Sequence, residues 1–165
     1  MSAEEQHTIA QKQAEITSEL ARLGARLGLT ATSPELARVD QFVSGDQLEV
    51  YFDGRDERWH VVYEERGVRR RDDIPRDRDE LLYWCMEHTV RLLVNRWNME
   101  RHLRGEVPKW SDTRAACWAE HARLLAILSL GWARRWRGEM EVELVAQGDA
   151  QLVSLLPALP AGDAQ

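Results

Sequence analysis

A cysteine and a histidine stand one helical turn apart in the second half of the chain, a spacing at which a thiol and an imidazole can act as nucleophile and base. They are Cys117 and His121, within the segment CWAEHARLL. The alanine and leucine residues around them are typical of a packed helix, where a structural histidine is far commoner. We expect none of the five histidines to have a second histidine or a carboxylate at metal-ligand spacing. The sequence therefore predicts no catalytic residues, no metal site and no cofactor, in a protein that is not an enzyme.

Charged residues of both signs crowd the segment VVYEERGVRRRDDI, residues 61–74. Its arginines could bind phosphate, but they alternate along a predicted strand and stand beside the acid pairs EE and DD, which neutralise them. Two interpretations remain open for this hairpin. One is a solvated surface whose charges pair with one another, and the other is a surface that recognises another protein.

The overall charge limits the partners that this chain can bind. The 165 residues include 22 basic and 28 acidic side chains, so the formal net charge is −6 and the isoelectric point is about 5.4. Nucleic acid and anionic membranes repel such a chain, whereas a basic partner is attracted. The sequence has no basic leader before an apolar run, and no stretch approaches the roughly 18 apolar residues that span a bilayer. We therefore expect a cytoplasmic protein that binds neither nucleic acid nor membrane.

Hydrophobic periodicity predicts the elements that position these residues. Apolar residues at three- and four-residue intervals from Ile9 to Leu27 indicate an amphipathic helix, and Pro34 suggests a short turn of helix after it. Between residues 48 and 73 the period falls to two, and the turn signals DG and RG divide this segment into three strands. Three helical patterns follow. The predicted fold class is α+β, with a three-stranded antiparallel meander packed against an amino-terminal helix and three carboxy-terminal helices. We expect a single domain over residues 1–155 and a flexible tail over residues 156–165.

The acids of the meander are the main candidates for binding a partner. Alternation along the strands should place them on a charged face, opposite the apolar one, or at its edge. The candidate residues are Glu49, Asp53, Asp56, Glu57, Glu64, Asp72 and Asp73. A competing arrangement uses tryptophans near element ends as anchors, with Trp110 and Trp132 in the interface.

Several motifs follow one another in a recognisable order: WHVVYEERG, a charged return strand, DRDELLYWCMEHTV, and CWAEHARLLAILSLGWARRWRGEMEVEL. Over about residues 48–146 this order resembles a family of small immunity proteins from bacterial polymorphic toxin systems. The resemblance implies a cytoplasmic protein that binds and silences one cognate toxin domain. The acidic charge of the chain suits in particular a basic toxin that acts on nucleic acid or nucleotides. A chaperone or adaptor for a secreted effector is the alternative, since it would also be acidic, helical and non-catalytic. The oligomeric state does not follow from the sequence.

Overall fold

The computed structural model of the protein describes residues 2–39, 48–66 and 68–160, without the side chains of Glu64 and Arg71. The chain divides into two compact units, residues 1–89 and 90–165, and each buries apolar residues of its own. The single domain over residues 1–155 stays a prediction.

Helix α1, Ala3–Arg26, opens the first unit. Ser2 caps it, because the Ser2 hydroxyl accepts a hydrogen bond from the backbone N–H of Glu5 and the Glu5 carboxylate accepts one from the backbone N–H of Ser2. Its buried residues follow the predicted stripe: Ile9, Ile16, Leu20 and Leu23. The helix stops before Gly28, which has a φ of 79°.

The first unit contains a four-stranded mixed sheet in the order β1-β2-β3-β4. The strands are β1 Arg38–Val39, β2 Leu48–Asp53, β3 Arg58–Glu65 and β4 Val68–Asp73. The β2-β3-β4 part is antiparallel, as predicted, with Val50 opposite Val61 and Val61 opposite Asp73. Val50, Val61 and Val62 are fully buried, so the strands form part of the core of this unit.

Two predictions about the segment before β2 are wrong. The sheet is not a three-stranded meander, because β1 adds a parallel strand in which Arg38 pairs with Glu49. A strand of two residues is too short to show a period in the sequence. The turn of helix expected after Pro34 is absent, and hydrogen-bonded turns over residues 30–36 take its place.

Helix α2, Arg78–Leu103, begins in the first unit. Asp77 caps it by accepting the backbone N–H of Glu80 at 2.8 Å. The buried residues Leu81, Tyr83 and Met86 lie on its first turns, and the rings of Tyr63 and His88 lie 5.8 Å apart between β3 and this helix.

The second unit is helical. After the end of α2 it contains α3, Arg114–Leu128, α4, Leu130–Ala146, and a 3₁₀ helix, Ala150–Leu155. Ser129 alone separates α3 from α4, with an extended backbone, and its hydroxyl accepts the backbone N–H of Trp132 at 3.3 Å. The buried residues of the unit include Leu93, Val94, Ala122, Leu125, Ala133, Trp136 and Leu144.

The beginning of the predicted tail contacts α4. Leu156 is buried, Arg137 Nε donates to the Pro157 carbonyl at 3.0 Å, and Arg134 Nη2 donates to the Pro160 carbonyl at 2.6 Å. A flexible tail over residues 156–165 stays a prediction. Among the described residues, no helix has the length and apolar character that crossing a bilayer requires.

Candidate partner-binding surface

The loop between β2 and β3, residues 54–57, carries acids whose positions are fixed by the backbone. Asp53 Oδ1 accepts the backbone N–H of Arg55 at 2.8 Å, and Asp56 Oδ1 accepts that of Arg58 at 3.0 Å. Aspartate favours such turns because its short side chain reaches the backbone two residues on. Glu57 takes a φ of 57°, a left-handed conformation that is unfavourable for a residue with a Cβ atom. The loop therefore presents a compact group of acids at the end of the hairpin.

A histidine lies between two of the acids on the sheet. The register places Tyr51 opposite His60, and their rings stack with centroids 4.9 Å apart and planes inclined by 6°. His60 Nε2 lies 3.0 Å from Asp56 Oδ2, and His60 Nδ1 lies 3.4 Å from Asp72 Oδ1. Arg69 Nη1 donates to Asp72 Oδ2 at 2.8 Å. The loop, β3 and β4 are thus joined by one polar network.

The network changes the proton affinity of two of its members. Partial desolvation raises the pKa of Asp56, but the hydrogen bonds from His60 and from the backbone of Arg58 outweigh it, so the pKa falls below its ordinary value. Burial, followed by the negative charge of Asp72, raises the pKa of Tyr51. At neutral pH Asp56 is therefore ionised and Tyr51 is a neutral phenol.

The same network contains ligand types that bind metal ions. Ligand atoms of Asp53, Asp56 and His60 all lie within 4.8 Å of one another. The expectation that no histidine has a carboxylate at ligand distance is therefore wrong for His60. Asp56 stands four residues before His60 in the sequence, but the two side chains meet through the β2–β3 loop and not along a helix, whereas Asp72 approaches through the strand register. The hydrogen bonds to His60 and the backbone account for this geometry without an ion, and the absence of a metal site stays a prediction.

The model of one protein family, described as Immunity protein 63, matches residues 55–142. The match extends over more than half of the chain and includes the charged hairpin, α2, α3 and most of α4. The chain belongs to the Immunity protein 63 family. This confirms the resemblance to immunity proteins of toxin systems, and membership implies that the protein binds a cognate toxin. No curated protein and no solved structure matches the chain.

Within this Immunity protein 63 member, the candidate acids separate into several environments. Asp56, Glu57, Asp72 and Asp73 are exposed and Asp53 is half-buried. Asp72 and Asp73 are consecutive in β4, so their side chains leave opposite faces of the sheet. The network therefore brings together Asp53, Asp56 and Asp72, but not Asp73. Glu64 lies in β3, and its side chain is outside the described part of the chain.

Two residues that the sequence suggested as contacts of a partner, Glu49 and Trp132, are buried. Glu49 is 1% exposed, so its assignment to a solvent-facing surface is wrong. The prediction for β2 requires that one face of the strand is exposed to solvent. Glu49 and its cross-strand partner Val62 lie on that face, and both are buried. Trp132 in the second unit is 9% exposed and packs near the start of α4, so it is not an exposed anchor. Trp110, by contrast, is 89% exposed, with Lys109 Nζ 5.2 Å from its ring centroid.

Proposed function

We propose that this immunity protein binds one cognate toxin domain in the cytoplasm and neutralises it by stoichiometric protein–protein inhibition. The observation that carries the proposal is the family match over residues 55–142. The environment of His121 supports binding rather than catalysis. Its ring is buried and stacks on Trp136 with centroids 4.5 Å apart, which is the position of a core residue rather than of a base at a reaction site.

The acids of the hairpin are the proposed contact surface. Asp53, Asp56 and Glu57 lie together in or beside the β2–β3 loop, and Asp72 joins them through His60. A basic toxin domain, such as one whose cleft binds nucleic acid or nucleotides, would be steered toward these carboxylates. The toxin's phosphate-binding residues would then contact protein carboxylates in place of phosphate.

The test is co-production with candidate toxin domains, beginning with any that a reading frame next to the gene of this chain encodes. We expect growth to be restored and toxin activity in vitro to fall linearly with added protein, reaching zero at a one-to-one ratio. Removal of toxin activity at a small fraction of that ratio would instead indicate an enzyme that repairs the damage.

The same titration separates inhibition from delivery. A chaperone or adaptor for a secreted effector would form a complex but leave the activity of the toxin domain intact. A stable complex that retains full toxin activity would therefore contradict the proposed function.

A further inference from the structure

A groove of about 550 Å³ lies in the first unit, between the β2–β3 hairpin and the start of α2. Its apolar lining is Trp59, Ile74 and Pro75, and three arginines line it as well: Arg58, Arg76 and Arg78. Ile74 is 43% exposed although it is a large apolar residue. Exposed apolar side chains next to guanidinium groups are one arrangement by which proteins bind other molecules.

Two residues of the groove, Trp59 and Arg76, are held in place by contacts within the first unit. Trp59 packs edge-on against Phe52, with ring centroids 5.4 Å apart. Arg76 Nε and Nη2 donate to the buried Glu80 carboxylate, each at 2.9 Å, while the Arg76 side chain stays 77% exposed. Such fixed groups lose little conformational entropy when a partner binds.

The other charged residues of the groove differ in how closely they are already paired. The Asp77 carboxylate caps α2 through the N–H of Glu80. Arg78 contacts Glu19 only at 4.0 Å, and its side chain is 61% exposed. Arginine presents a planar fork of donors that matches a carboxylate, so Arg58 and Arg78 can bind one beside the apolar lining.

We propose that this groove binds a segment of the toxin that carries a carboxylate next to an aromatic or aliphatic side chain. The inference rests on the proposed function and adds a second contact next to the hairpin acids. The apolar side chain would lie against Trp59 and Ile74, and the carboxylate would bind Arg58 and Arg78. An extended polyanion such as nucleic acid is disfavoured more than a short carboxylate ligand, because its additional phosphates would lie near Glu57, which also lines the groove.

The experiment uses the full chain and a short peptide with blocked ends that contains two carboxylates and one phenylalanine. Binding is followed by NMR at the indole N–H of Trp59, assigned with the Trp59→Phe variant. We expect the resonance to shift with the peptide, and the double variant Arg58→Glu/Arg78→Glu to weaken binding roughly tenfold or more. The variant should keep its melting temperature, since both side chains are exposed and an acid suits the first turn of α2.

Two comparison probes and a control variant complete the test. A peptide with lysines in place of the carboxylates should not shift the Trp59 resonance. The control Arg104→Glu/Arg123→Glu changes the same number of exposed charges in the second unit and should bind like the parent. A stronger response to oligothymidylate than to the acidic peptide would identify a polyanion site and overturn the proposal, as would no response or equal binding by both double variants.

Different results would contradict the groove proposal and the proposed function. If the toxin is neutralised one to one but Arg58→Glu/Arg78→Glu protects as well as the parent, the groove proposal is wrong and the function stands. If the acidic peptide binds in the groove but no toxin activity is inhibited, the function is wrong.

Discussion

His121 is a buried titratable residue of the second unit, 6% exposed and stacked on Trp136. Burial, and then the positive charge of Arg91, lowers the pKa of its imidazole from 6.5 to about 4. As the pH falls, His121 is therefore protonated at a higher pH in the unfolded chain than in the folded chain. This contribution to stability is fully present above pH 6.5 and is lost as the pH falls toward 4.

The variant His121→Phe tests this linkage, because phenylalanine can keep the ring contact with Trp136 but does not titrate. Between pH 7 and pH 5 the parent should lose about 2 kcal/mol more free energy of unfolding than the variant. Urea unfolding at the two pH values measures the difference. An equal loss in both proteins would show that His121 can be protonated in the folded state.

Leu93 and Leu103 lie on the part of α2 that belongs to the second unit, and their exposures are 9% and 80%. Leu93→Ala should lower the free energy of unfolding by about 2–5 kcal/mol, because it removes buried methyl groups and leaves a cavity. Leu103→Ala is the matched control and should change it by less than about 0.5 kcal/mol. Similar losses for the two variants, measured by urea unfolding, would mean that Leu93 does not lie in a core.

The two β-hairpins show what a sequence can predict at the scale of an element. Alternation and turn signals give β2, β3 and β4 correctly, because one face of each hairpin is apolar and the loops are short. The contact of His60 with Asp72 depends on strand register, so the sequence does not show it, and the contact with Asp56 four residues earlier depends on the path of the β2–β3 loop. The prediction that Glu49 is exposed is wrong for a related reason. Whether the second face of β2 is buried depends on the tertiary fold and not on the local sequence pattern.

The β2–β3 loop also makes a prediction about stability. Glu57 has a φ of 57°, and asparagine tolerates this conformation better than glutamate. Glu57→Asn should therefore raise the free energy of unfolding by roughly 0.5–1 kcal/mol. Glu57→Gln is the control, since it removes the same charge at the same residue and keeps a side chain that the positive φ does not favour. If both variants gain equally in thermal and urea unfolding, relief of charge repulsion is the cause and not the backbone.

At the scale of the whole molecule, the net charge of −6 would raise the association rate of the toxin if the toxin is basic, as proposed above. Charges on the contact surface have the largest effect on the association rate, because 0.1 M salt screens electrostatic interactions beyond about 10 Å. The triple variant Asp53→Asn/Asp56→Asn/Glu57→Gln removes three carboxylates, and asparagine keeps an oxygen to accept the two backbone N–H groups of the loop. We expect the association rate constant to fall about tenfold at low salt, with a weaker salt dependence.

A control variant with the same net charge shows whether the association rate depends on the hairpin acids or only on the total charge of the protein. Glu15→Gln/Glu141→Gln/Glu143→Gln removes three acids from helices α1 and α4. Stopped-flow association with the toxin domain should give nearly the parent rate for this control. If both triple variants slow association equally, the hairpin acids are a solvated surface and the toxin binds elsewhere, for example at the exposed Trp110.

Strand β4 is an outermost strand of the described sheet, and its residues Val68, Arg69, Arg70, Asp72 and Asp73 are exposed. Outer strands invite pairing with a second molecule, but Arg69 pairs with Asp72, Arg70 pairs with Glu65, and a register shift interrupts the ladder at Tyr63 and Glu64. Charge and irregular register both discourage such pairing. A one-to-one inhibitor protects a cell only when it is already present in excess of its target. Under the proposed one-to-one inhibition this chain would have to be held in such excess, and a charged outer strand suits that because it discourages pairing from edge to edge.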